Sequence, residues 1–354
     1  MFEYRFPVVR GKQAKREYYI AMVPLGMINR LFPEENEYIA PEYRAQRKIN
    51  EMRIPYISRY ILENRDSYVF SALAASIDGK FSYISNDINA DTGILQISMN
   101  ARFLINDGQH RKAAIIEALL EDPTLNEETI PIVFFEDKGL KSSQQIFTDL
   151  NKNAVKTSNS LSELYDSRDF FAVVTRNVVK KVDFLNSYTD KERDILGKYS
   201  SNLFTLNTFY IANKLAVFGM EINNKDFEAF LIKLWSVISQ NMIPWIDLEL
   251  KHISKIDLRE NYIATQNVVI QALGRVGNWF LKNNETENME SYFKNLKLIN
   301  WKRSSTSWQK RAIRENGRII TNKKAVILIS NLIKSYLQIP LTKDEEKYEE
   351  DVNL

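Results

Sequence analysis

The sequence contains no cysteine, which excludes disulfides and thiolate-bound metals. It contains only two histidines, His110 and His252, which excludes a zinc site built from several imidazoles. Any metal is therefore expected to be a hard cation held by carboxylates and phosphates. No apolar run approaches the ~18 residues that a membrane-spanning helix needs. The first residues, Met1-Phe2-Glu3-Tyr4-Arg5-Phe6, lack a charged segment followed by an apolar one, so no signal peptide and a cytoplasmic location are expected. An excess of one charge sign is also lacking: the net charge is +3 over 354 residues, so its distribution matters more than its sum. There is no internal repeat and no low-complexity tract. What remains is 44% hydrophobic and 26% charged, the balance of a soluble globular chain long enough for two domains.

Turn residues crowd the first ~40 positions (Pro7, Gly11, Pro24, Gly26, Pro33 and Pro41), which predicts short strands, the best being Tyr18–Val23. Residues 42–64 have helical spacing interrupted at Pro55. Strands are expected at 68–70, 81–84, 93–97 and 101–105, with Asp78-Gly79 as a hairpin turn between the first two. A helix should run from Gln109 to Glu121, closed by Pro123, followed by a strand at 130–135 and a helix at 142–151. From Ser160 onward the pattern is helical, with amphipathic segments near 161–182, 206–218, 225–240, 258–282 and 323–338. The fold class is thus α+β: residues 1–158 mixed, 159–340 mostly helical, and 341–354 an acidic, frayed tail.

Asp107-Gly108-Gln109-His110-Arg111 sits where a strand feeds a helix. The first backbone N–H groups of such a helix are unpaired, and the helix dipole adds positive potential. Gly108 permits close approach, Arg111 can fork onto phosphate oxygens, His110 can donate or move a proton, and Asp107 can hold Mg²⁺ or orient water. Asp-Gly before a helix is also an ordinary turn and cap. The density of polar groups, with Lys112 adjoining, favours a site. Cations in a first helical turn oppose the dipole unless an anion sits there. In the block Gln144–Asn151, Ile146, Phe147 and Leu150 can pack while the polar residues face water. Asp166, Arg168 and Asp169 read as a helical ion-pair set.

These residues carry a resemblance. Ile105–Arg111 resembles a DGQHR signature. Together with Ala45-Gln46-Arg47, Arg53–Ile61, Ser143–Asn151, Ser160–Asp169 and Asn202–Leu206 it resembles the DndB family of bacterial DNA phosphorothioation systems, most clearly over residues 1–210. The resemblance implies promoter binding and negative control of the genes that place sulfur on the DNA backbone. It also implies a ParB/sulfiredoxin-like N-terminal domain whose corner holds nucleotide phosphates. On that analogy Gln46, Arg47, Asp107, Gly108, Gln109, His110, Arg111 and Asn151 surround ATP or another NTP, with Mg²⁺ on Asp107. The competing reading is an NTP-hydrolysing DNA nickase, with Asp107, His110 and Arg111 as catalytic groups. It lacks an obvious carboxylate cluster or Walker motif.

The window Lys294–Lys324 holds ten basic residues against one acid, Glu315. Charge clustered in one segment is the footprint of a nucleic-acid binder. Lys302, Arg303, Lys310, Arg311, Arg314 and Arg318 are expected to touch DNA phosphates, with Trp308 wedging or stacking. Lys310, Arg311 and Arg314 are expected to share a helical face. The alternative is a solvated basic face neutralised by the acidic tail. Expected partners are duplex promoter DNA, other proteins of the same system and a second copy of the chain, with no membrane.

Overall fold

The computed structural model describes residues 2–33, 49–152, 157–220 and 226–353, with the side chains of 351–353 excepted. The chain divides into two compact units, Met1–Val155 and Lys156–Leu354.

The first unit is built on seven strands: β1 (Glu3–Gln13), β2 (Arg16–Pro24), β3 (Leu73–Asp78), β4 (Phe81–Ser85), β5 (Thr92–Ser98), β6 (Arg102–Asp107) and β7 (Thr129–Glu136). Their order is β4-β5-β1-β2-β7-β3-β6, antiparallel throughout except for the parallel β3–β7 pair. The expected hairpin across Asp78-Gly79 does not form, because β3 pairs with β6 and β7 while β4 pairs with β5. In a flat sheet β3 and β4 would stand about 24 Å apart. The connection from Asp78 to Phe81 reaches at most about 11 Å. The sheet must therefore curl until its two ends approach. Ring contacts agree: Tyr4 on β1 lies 6.0 Å from Phe103 on β6, and Phe6 lies 5.9 Å from Phe134 on β7. These aromatics, with Val23, Leu95, Ile97 and Ile132, fill the interior of the curl.

Among the described residues, four α-helices accompany the sheet: α1 (Ile28–Leu31), α2 (Ile54–Glu63), α3 (Gln109–Glu121) and α4 (Leu140–Lys152). Pro55 opens α2 rather than breaking it, since the N–H groups of the first helical turn have no intrahelical hydrogen bond to lose. Residues 68–70 lie before β3 and are not a strand. α2 packs on α3, and α4 packs on the edge strand β6.

The second unit is helical: α5 (Asn159–Tyr165), α6 (Phe170–Lys181), α7 (Asp183–Tyr188), α8 (Leu206–Ala216), α9 (Asp226–Asn241), α10 (Ile243–Glu249), α11 (Lys255–Asn261), α12 (Asn267–Lys282), α13 (Met289–Phe293), α14 (Lys323–Tyr336) and α15 (Lys343–Asn353), with a two-strand pair at 189–190 and 204–205. α12 lies against α8 and α14, and its Gly274 lets the Ala212 carbonyl approach to where a Cβ would be 2.2 Å away. The expected helix 161–182 is two helices. Asp166 Oδ1 accepts from the N–H groups of Arg168 and Asp169, and Asp169 Oδ1 caps α6 at Phe171 and Ala172. These bonds offer the backbone an alternative to the helix, so Asp166 and Asp169 punctuate the segment instead of pairing with charge along it.

The acidic tail is not frayed. Glu345 is buried and accepts from Lys334 Nζ at 2.7 and 2.8 Å and from Arg275 Nη2 at 3.0 Å. Glu349 takes Arg311 Nη2 at 2.5 Å. The acids that suggest solvation are thus what docks α15. Among the described residues, no helix is long and apolar enough to cross a membrane.

Candidate functional site

The corner forms where β6 passes into α3. The β3–β6 register shifts between Ala74 and Ala75, leaving Asn106 as an extra residue opposite no partner. Such a bulge re-aims the strand end. Asn106 is fully buried; its Oδ1 accepts from Ser76 Oγ at 2.9 Å and its Nδ2 has no partner. Gly108 follows at φ +99°, where a Cβ would lie 2.4 Å from Leu73 Cδ2. Glycine is required here on both conformational and steric grounds.

α3 then starts with no side-chain cap and no acid in its first turn. Gln109 is 9% exposed, and its Nε2 also lacks a partner. Two buried carboxamide donors thus stand unsatisfied within four residues. Buried donors normally find acceptors, an ordered water included, and of the two only the Gln109 amide has any exposure from which to meet one at the corner.

Arg111 does not project freely. Its Nη2 lies 2.6 Å from Asp107 Oδ2, and Nη1 bonds the Ser71 hydroxyl and, at 3.4 Å, the Ser71 carbonyl. The ion pair spans the Gly108 turn and ties strand end to helix start. His110 Nε2 accepts from the Asn50 N–H at 3.0 Å, so a neutral ring carries its proton on Nδ1. Ser71 and Asn50 carry no sequence signal of these roles, because each is brought in from 40 to 60 positions away.

Gln46 and Arg47 lie outside the described residues. Asn151 sits in the last turn of α4 and donates to the Phe147 carbonyl at 2.8 Å. Among the described residues no hydrogen bond joins it to the corner. Asp149 is held by Gln145 Nε2 at 2.6 Å. Among the described residues there is no group of three or more His, Cys, Asp or Glu placed to hold a metal ion. A Mg²⁺ at Asp107 would need most of its oxygen ligands from phosphates and water.

A cleft of about 520 Å³ lies in the same unit, and no motif announces it. Its wall includes Arg65, Tyr68 and Phe70, and the next residue is the Ser71 that holds Arg111. Arg65 is already committed to Asp122 at 3.0 Å and Glu128 at 2.8 Å, while Asp66, Glu127 and Glu128 line the same space. That charge repels a triphosphate, so the corner's N–H groups, not the cleft, suit phosphate.

In the second unit the basic segment is not one surface. Trp308 is fully buried, stacked on Trp301 with ring centroids 5.5 Å apart, and its indole N–H donates to the Asn300 carbonyl at 2.8 Å. It is a core residue and cannot stack on a base. Lys310, Arg311 and Arg314 share no helical face: the helical turn ends at Trp308 and Lys310 has φ +60°. Arg311 is taken by Glu349, and Arg303 Nη1 donates to the Glu260 carbonyl at 3.1 Å. Lys302, Lys310, Arg314 and Arg318 remain exposed.

The profile of DndB, described as DNA-sulfur modification-associated, matches residues 6–340. The chain belongs to the DndB family. No curated protein and no solved structure matches it. Membership links the chain to DNA-sulfur modification, and the match runs through both units, so the corner and the basic segment belong to one family architecture.

Proposed function

We propose that this DndB-family chain is a DNA-binding negative regulator of a phosphorothioation operon, with a nucleotide at the Asp107–Arg111 corner biasing its affinity. The observation that carries the DNA reading is the set of exposed cations in Lys302–Lys323 with no carboxylate partner among the described residues. Solvated cations concentrated in one segment repel one another, and a polyanion relieves that repulsion while releasing counterions. A ParB/sulfiredoxin-like identity of the first unit is part of the same proposal, as are other proteins of the system and a second copy of the chain as partners.

The corner fits ATP or another NTP through its phosphates. The backbone N–H groups of Gln109, His110 and Arg111 would bind the phosphate oxygens, and the Gln109 amide would supply a further donor. Asp107 would hold the bound Mg²⁺ through whichever oxygen Arg111 leaves free. Mg²⁺ would neutralise phosphate charge and orient water. Arg111 itself acts as a positioning residue, since its guanidinium is spent on Asp107 and Ser71.

A gel shift on the operon's promoter fragment, with and without ATP and Mg²⁺, tests the reading. Retardation that changes with nucleotide is expected. No retardation of any duplex would refute it.

A further inference from the structure

Residues Ala312–Ile320 double back as a small hairpin. Ile320 N–H donates to Ala312 O at 2.8 Å, Arg314 N–H to Arg318 O at 2.9 Å, and Gly317 N–H to Arg314 O at 2.8 Å. Ile313 and Ile319 form an antiparallel bridge. Gly317 turns the tip at φ +76°, and Asn316 Oδ1 accepts from the Arg318 N–H at 3.1 Å. The root is rigid: Ala312 and Ile313 are buried, and both donate backbone bonds to the carbonyl of the buried Trp308.

This frame sets two arginines opposite each other at the neck of an exposed tip. Like charges directly across a strand pair destabilise it. Lys310 stands beside the root in a left-handed conformation that a lysine adopts at a cost, held by its N–H to Ile313 O at 3.0 Å. Just beyond, Asn322 caps α14 and Lys323 enters its first turn, where a cation opposes the dipole. The two charge placements, Arg314 across from Arg318 and Lys323 at the start of α14, are unfavourable in the free protein and become favourable against phosphate, and the Lys310 turn fixes a further cation beside them.

Resting on the DNA-binding reading above, we infer that the Ala312–Ile320 hairpin is a wing that grips the backbone of duplex DNA, with Lys310, Arg314, Arg318 and Lys323 as its phosphate contacts. Duplex is favoured over single strand because single-strand binders need exposed aromatic platforms. The only aromatics between Lys294 and Lys324 are Trp301 and Trp308, which are 2% and 0% exposed. Arg311, anchored on Glu349, and the tryptophan pair are then the wing's support.

The test is fluorescence anisotropy with a labelled duplex and its single strand, across a potassium chloride titration. The proteins are the wild type, Arg314→Gln/Arg318→Gln, and Lys80→Gln/Lys141→Gln, which removes equal charge from the other unit. The wing variant should melt no lower than the wild type, since it removes a like-charge pair on two exposed side chains and no backbone bond. Its slope of log affinity against log salt should be shallower by about two, and its duplex affinity at low salt should fall by about tenfold for each arginine replaced. The other variant should bind as the wild type does. Unchanged slope and affinity in the wing variant, or equal weakening in both variants, would overturn the wing and leave DNA binding standing. Tighter binding of single strand, abolished in the wing variant, would overturn the duplex assignment. Failure of the wild type to bind any duplex would sink the functional reading, and the wing with it.

Discussion

A methyl group at position 108 has nowhere to go. The backbone there is left-handed, and the new Cβ would meet Leu73 Cδ2 at 2.4 Å and Arg111 Nη2 at 3.0 Å. Gly108→Ala should destabilise the first unit by ~1–3 kcal/mol, seen as a lower melting temperature. A wild-type melting temperature would mean that the turn is not strained. Glu163 offers a second residue-scale prediction. Burial is the main cause that raises its carboxyl to about 7; nearby Asp194 and Asp169 add to this, and the Asn207 amide opposes it. One of its oxygens, Oε2, is buried without a partner. The folded state then holds a proton that the unfolded state has released between an ordinary glutamate pKa and about 7. Stability should fall as pH rises through that window, by at most about 1.4 kcal/mol per unit, and level off above it. Glu163→Gln should flatten that slope and melt higher than wild type at alkaline pH. A pH–stability profile that keeps its slope in the variant would place the proton elsewhere.

At the scale of elements, the sequence was legible where one periodicity dominates. The strand around Tyr18–Val23, the helix opened by Gln109 and the helix near 323–338 follow directly from side-chain spacing. It misled where polar side chains bond the local backbone or pair with distant elements. Asp166 and Asp169 split one amphipathic run into two helices through backbone bonds that spacing does not encode. The acidic tail became α15 because Lys334, Arg275 and Arg311 wait for it in distant elements. Burial raises the Glu345 carboxyl, but the bonds from Lys334, Thr342 and Arg275 outweigh it and the net shift is downward. Glu345→Ala would strand Lys334, 5% exposed, without its counter-charge. A loss of about 3–5 kcal/mol is expected, because a buried charge left alone is far costlier than the pair. Replacing both as Lys334→Met/Glu345→Leu should recover much of it in a double-mutant cycle. Additive losses in that cycle would show that the two side chains are not coupled.

At the scale of the whole molecule, the corner motif lies in one compact unit and the basic excess in the other. The corner motif and the basic excess were both visible as residues. The curl of the sheet was not, because it depends on pairings between strands far apart in sequence, such as β1 with β5 and β3 with β7. If a nucleotide at the corner biases DNA affinity, the coupling must be reciprocal: DNA must change nucleotide affinity by the same factor. A factor of about 5–150 corresponds to the 1–3 kcal/mol typical of such linkage. Calorimetric titration of ATP with Mg²⁺ into the free protein and into its duplex complex measures one side, and duplex titration with and without ATP measures the other. Arg314→Gln/Arg318→Gln should leave nucleotide affinity of the free protein unchanged, because those side chains belong to the other unit. Gly108→Ala should weaken nucleotide binding while leaving nucleotide-free duplex binding intact. Unequal factors on the two sides of the cycle would mean that ATP acts by turnover and not by binding, which would shift the reading of this corner toward an enzyme.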